Sequence, residues 1–160
     1  MIDIEEMRLK SWWVGVDPGT DSSRPSRMGQ VALLDEDFTE VHYYPTHEIK
    51  ECQELLKGLR ECFLGVCIEE VSPRFSKPYG DSMRWHDRCV WLDLRHAMVP
   101  PVRWQKLLGE HKKKGDKNSS VEYVRAQFPG HLAASVGRNT GKADALVLAI
   151  YGERLWSKRK

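Results

Sequence analysis

Three acidic residues stand where a chain built for burial would not place them. Asp17 ends the apolar run Trp12-Trp-Val-Gly-Val16 and is followed at once by Pro18-Gly19. Glu69 closes Val66-Cys-Ile68, a stretch that otherwise reads as a strand buried on both faces. Asp144 sits between Ala143 and Ala145, just ahead of Leu146-Val-Leu-Ala-Ile150. A buried carboxylate needs a cation or a hydrogen-bonding partner, because stripping water from its charge is costly. Three of them meeting at one spot would repel each other. Hard divalent cations are the natural counter-charge, since Mg2+ takes oxygen ligands and keeps waters that a phosphate can replace. Each acid also has a plainer explanation. Asp-Pro-Gly is good turn chemistry, a strand-end Glu can reach solvent, and a first-turn acid suits the helix dipole.

The elements that must carry these side chains follow from periodicity and punctuation. Residues 12–17 read as a buried strand stopped by Pro18-Gly19. Residues 30–35 and 38–44 read as the second and third strands, with Asp35-Glu36-Asp37 turning between them. Apolar positions from Ile49 to Leu59 recur at helical spacing, within a helix running from 48 to 62. Residues 65–71 form the next strand, and its alternation sends Glu69 and Glu70 to opposite faces. With two prolines and a glycine, 72–80 reads as a loop, 81–98 as a helix and 99–102 as a short edge strand. Further helices are expected from 118 or 119 to 128 and from 141 to 156. The order β-β-β-α-β-α-β-α-α predicts an α/β fold, a mixed five-stranded sheet flanked by helices. Small Ala143 and Ala145 would let the last helix lie close on that sheet and bring Asp144 over the strand ends.

With 160 residues, 41% hydrophobic and 30% charged, the chain has the make-up of one globular domain. No apolar run approaches the roughly 20 residues that cross a bilayer. The acidic start lacks the layout of a secretory signal, so a soluble, intracellular protein with no membrane partner is expected. Cys52, Cys62, Cys67 and Cys89 form no CxxC pair and show no zinc-site spacing, which points to reduced thiols. His86, His96 and His131 have no partner spacing either. A formal net charge of +2 says little by itself, and its distribution says more. Lys112, Lys113, Lys114 and Lys117 crowd one stretch, and the chain ends Lys158-Arg159-Lys160. Such runs are either a phosphate footprint or solvated faces.

Taken together, four segments resemble the RuvC-like Holliday-junction resolvases of phages and plant organelles. They are Val14-Gly-Val-Asp-Pro-Gly19, Ile68-Glu-Glu-Val71, Trp104-Gln105 ahead of a basic loop and helix, and Ala143-Asp-Ala-Leu-Val-Leu-Ala149. The resemblance covers residues 12–155 and implies an RNase H-like fold. It also implies a homodimer that resolves four-way junctions in branched DNA by paired symmetric nicks. The chemistry it implies is phosphodiester hydrolysis with two Mg2+ or Mn2+ ions. It marks Asp17, Glu69 and Asp144 as catalytic, metal-binding acids. It places Lys117 near a lysine that assists at the scissile phosphate, a role that Lys112, Lys113 or Lys114 could equally fill. Arg74, Phe75, Lys77 and Tyr79, in the loop after Glu69, become candidate DNA contacts. Phe75 or Tyr79 would stack at the junction centre, although Phe75 also suits a loop anchor.

The chain departs from the pattern twice. Gly141 stands where bacterial RuvC carries a further acid or histidine, which leaves Asn139, Thr140 or water as the fourth ligand. Ser72 stands where bacterial RuvC has an aromatic wedge. Rival readings remain beside the resemblance. Asp17-Pro-Gly-Thr20 also resembles the first phosphate loop of actin-like ATPases, but those need a second such domain and a second Gly-rich loop. A ribonuclease acting on RNA–DNA hybrids would share both fold and chemistry. A non-catalytic junction-binding protein would keep the DNA contacts without a complete ligand set.

Overall fold

The strand Trp12–Gly19 (β1) runs through the middle of the molecule, and its pairing sets the architecture. The computed structural model describes residues 3–19, 28–46 and 49–157, with the side chains of 49–53 left outside the description. β1 pairs antiparallel with Met28–Asp35 (β2) and parallel with Phe63–Glu69 (β4). Val41–Pro45 (β3) extends the sheet antiparallel to β2, and His96–Val99 (β5) extends it parallel to β4. The result is an open, mixed, five-stranded sheet in the order β3-β2-β1-β4-β5.

Helices cover both faces, which is why β1 is buried along nearly its whole length. The helices are Ile4–Met7 (α1), Ile49–Leu59 (α2), Ser76–Trp91 (α3), Pro101–Trp104 (α4), Ser119–Gln127 (α5), His131–Val136 (α6) and Thr140–Ser157 (α7). Alternation divides the strands between two cores. Trp12, Val14 and Val16 pack with Leu55, Leu56 and Leu59 of α2 and with Trp85 and Cys89 of α3. Trp13, Ala32 and Cys67 face the other way, against α5 and α7. At the far end of that second face, Trp13 stacks on Trp156 with ring centroids 6.0 Å apart and planes 6° apart.

α7 lies unusually close to the sheet. A Cβ added at Gly15 would come within 1.9 Å of the Ala145 carbonyl oxygen and 2.5 Å of the Ala149 backbone nitrogen. Backbone therefore meets backbone, which only glycine on the strand and alanine on the helix permit. The expected close approach is met at Ala145, with Ala149 rather than Ala143 as the second alanine that Gly15 meets.

Several boundaries differ from the sequence reading. α3 begins at Ser76 rather than 81, with Pro78 inside its first turn. Proline costs nothing there, because first-turn N–H groups have no intrahelical acceptor. The same helix stops at Trp91 rather than 98, where Asp93 adopts a left-handed φ of 53°. The chain is then free to form β5 one segment earlier than expected, and Pro101 opens α4 instead of lying in a strand. β3 starts at Val41, not 38, because the Asp35 carboxylate accepts the backbone N–H groups of Thr39 and Glu40 and holds the turn open. α1 and α6 were not anticipated. α6 lies between Gly130 and Gly137, both at positive φ.

Among the described residues, no helix is long and apolar enough to cross a membrane. Cys62, Cys67 and Cys89 are free, and burial pushes the thiols of Cys67 and Cys89 up to about 12. The terminal Lys158, Arg159 and Lys160 lie outside the described residues.

Candidate functional site

β1 and β4 run parallel, with Gly15 opposite Cys67 and Val16 opposite Ile68. One step further along that register brings Asp17 alongside Glu69 at the carboxyl ends of the two strands. In open α/β sheets this is where ligand crevices form. Both side chains leave on the α7 side. Close contact between α7 and β1 then sets Asp144, in the first turns of that helix, above the same strand ends. Asp17, Glu69 and Asp144 line one cavity of about 460 Å³. Glu70, on the opposite parity, does not line it, and its N–H donates to the Val99 carbonyl at 2.8 Å.

The three carboxylates are deeply placed, and their environment resists their charge. Desolvation raises Asp17 well above the ordinary carboxylate range, and the nearby Glu69 and Asp144 raise it further. Desolvation first, then Asp144, push Glu69 up to about 7. Desolvation carries Asp144 up to about 6, against the pull of a Ser120 hydrogen bond and the Lys112 charge. Such mutual destabilisation of ionised groups in a cleft marks functional sites more often than structural ones.

Among the described residues each acid is held by a single donor. The Gly19 N–H donates to Asp17 Oδ1 at 3.0 Å. The Trp104 indole N–H donates to Glu69 Oε2 at 2.9 Å. The Ser120 hydroxyl donates to Asp144 Oδ1. Among the described residues, each carboxylate thus keeps one oxygen without a donor. Among the described residues no three His, Cys, Asp or Glu side chains stand together as a finished metal centre. The acids ring the cavity, tied back to their separate donors and repelling one another. The donor set is nonetheless all oxygen and anionic, which fits a hard divalent cation such as Mg2+ or Mn2+ and not a soft one.

Basic residues share the cavity with the acids. Lys112, Lys113 and Lys117 line the cavity together with Gln105, Asp116 and Ser119. Lys112 Nζ donates to Gln105 Oε1, so the cation is steered by the segment that also carries Trp104. Lys114 is exposed and does not line the cavity. The second group of candidate DNA contacts lies apart from it. Arg74, Phe75, Lys77 and Tyr79 occupy the turn before α3 and its first turn, and none lines the cavity. Phe75 is 58% exposed, with the Arg74 guanidinium 6.0 Å from its ring centre. Tyr79 is half-buried and its N–H closes the turn onto the Phe75 carbonyl.

Two residues that hold the acids were not anticipated in their roles. Trp104 was noted only as part of a segment, and Ser120 not at all. An indole and a hydroxyl at these positions look like core and helix-start residues in a bare sequence. No protein-family model matches this sequence, and no curated protein matches it.

Proposed function

We propose that this protein is a metal-dependent endonuclease with an RNase H-like fold, which resolves four-way junctions in branched DNA as a homodimer. One observation carries the reading: three buried, mutually repelling carboxylates from β1, β4 and α7 line the same cavity as three lysines. Asp17, Glu69 and Asp144 would hold Mg2+ or Mn2+ through their oxygens. Such ions, when bound, lower the pKa of water and stabilise the leaving oxygen of a phosphodiester.

The remaining work falls to the chain itself. Trp104 and Ser120 fix the rotamers of Glu69 and Asp144. Lys112, Lys113 and Lys117 attract the DNA backbone and hold a phosphate opposite the acids. Stiff backbone contact at Gly15 keeps β1 and α7 in register, so Asp17 and Asp144 need little rearrangement when substrate arrives. Phe75, exposed beside Arg74, offers a face on which an unpaired base can stack.

The deciding experiment is cleavage of a labelled four-way junction in Mg2+, alongside a linear duplex and an RNA–DNA hybrid. Paired symmetric nicks in the junction alone support the resolvase. Cleavage confined to the hybrid would replace it with a ribonuclease. Tight junction binding without cleavage in Mg2+ or Mn2+ would make the protein a junction-binding factor.

A further inference from the structure

The first turn of α7 indicates which side chain completes the oxygen set around the three acids. Asn139 is already engaged: its Oδ1 accepts the Lys142 N–H at 2.9 Å, the ordinary task of a capping side chain. It does not line the cavity. Gly141 packs against β2, and a Cβ built there would stand 3.1 Å from the Met28 carbonyl oxygen and 3.3 Å from Gln30 Cγ. A longer acid at 141 would have to press into that strand. Gln30, opposite Asp17 in the β1–β2 register, does not line the cavity either.

Gly141 lines the cavity but brings no side-chain oxygen, and Thr140 does bring one. Thr140 lines the cavity, it precedes Asp144 by four positions on the same helix, and its hydroxyl has no hydrogen-bond partner among the described residues. Residues at that spacing share one helix face. We propose that Thr140 Oγ1 supplies the fourth protein oxygen of the cation site, beside Asp17, Glu69 and Asp144. The inference rests on the metal-dependent reading of that site.

A hydroxyl contributes an oxygen without a charge. The set then carries three negative charges instead of four, and affinity for divalent cations falls with ligand charge. Replacing Thr140 by Asp should therefore improve binding, and an added acid is well tolerated at a helix N-terminus. Replacing it by Val keeps the shape and removes the oxygen.

The test is calorimetric titration of the full chain with Mn2+ in the absence of DNA, with thermal melting to verify each fold. Thr140→Asp should bind Mn2+ about tenfold more tightly than wild type. Thr140→Val should bind about tenfold more weakly. Asn139→Ala should lower the melting temperature and leave Mn2+ affinity unchanged. Because Thr140→Asp is a gain, the test survives any loss of fold in Thr140→Val. Equal affinity in wild type, Thr140→Asp and Thr140→Val would overturn the assignment and leave the nuclease reading standing. Absence of Mn2+ binding by folded wild type would overturn both.

Discussion

Trp104 Nε1 lies 2.9 Å from Glu69 Oε2, so the short helix α4 reaches across to the end of β4 and holds the acid in place. Trp104 is only 1% exposed, and its ring belongs to the core as well as to the cavity wall. Phenylalanine at 104 keeps most of the packing and removes the donor. A hydrogen bond to a charged group is worth about 1.5–3 kcal/mol. Cleavage by Trp104→Phe should therefore fall by about 10- to 100-fold, with DNA affinity near wild type. Single-turnover rates at fixed Mg2+, beside a binding assay, check this. An unchanged rate would reduce Trp104 to a core residue.

The three acids call for a different outcome. Asp17→Asn, Glu69→Gln and Asp144→Asn each remove a candidate cation ligand while keeping size and hydrogen-bonding capacity. Each should lower cleavage by at least about 100-fold, since cation stabilisation of transition-state charge is worth several kcal/mol. The metal-free proteins should melt higher than wild type, because the ionised forms are opposed by desolvation and by each other. Lost activity with gained stability is what a strained site predicts. Variants that merely unfold would show lost activity with lost stability, and a melting curve in EDTA separates the two.

Much of this site was legible in the sequence. Asp17, Glu69 and Asp144 stood out because each interrupts an apolar pattern, and the alanines beside Asp144 announced the close helix that Gly15 receives. Parity put Glu69 on the cavity side, although the strand expected over 65–71 ends at Glu69 and leaves Glu70 just beyond it. What stayed hidden is tertiary. Nothing local tells a buried tryptophan that fills space from one that also grips a carboxylate. The end of α3 was invisible because Asp93, and not a glycine, takes the left-handed position there. Proline misled in the opposite direction: Pro78 signals a break in mid-helix but fits a first turn.

Lysine variants divide along the cavity wall. Lys112→Ala, Lys113→Ala and Lys117→Ala should each weaken binding to any DNA sequence and reduce the salt dependence of log K by about one unit. Lys114→Ala should change neither appreciably, since Lys114 alone of the four does not line the cavity. Titrations at several salt concentrations give the slopes directly. If Lys114 proved equal to the other three, the basic loop would act as a diffuse patch and not as a wall of the site.

Gly15→Ala tests the contact on which the geometry depends. Its new methyl would sit 1.9 Å from the Ala145 carbonyl oxygen, so helix and strand must separate. Overpacking a core commonly costs about 1–3 kcal/mol, and a clash with two backbone atoms of α7 should reach about 3 kcal/mol or more. Denaturant unfolding measures it. In whatever fraction remains folded, displacement of α7 should move Asp144 away from Asp17 and weaken Mn2+ binding. Full Mn2+ affinity in a folded Gly15→Ala protein would show that α7 and β1 need not touch for the site to assemble.

The acids also fix how stability varies with pH. Folded-state pKa values of about 7 for Glu69 and about 6 for Asp144, with Asp17 raised as well, lie above the unfolded values near 4. A carboxyl group raised on folding binds its proton more tightly in the native state. Its contribution to stability is complete below the unfolded pKa and disappears as pH rises through the folded one. In EDTA the melting temperature should therefore fall as pH is raised from about 5 to about 8. Mg2+ should reverse that fall, and most strongly at the alkaline end, where the acids are ionised and able to bind it. Melting curves with and without Mg2+ across this range check both halves. A metal-free protein equally stable at both ends would mean that the three carboxylates are relieved by water or by movement, and that the repulsion offered to a cation is smaller than their burial implies.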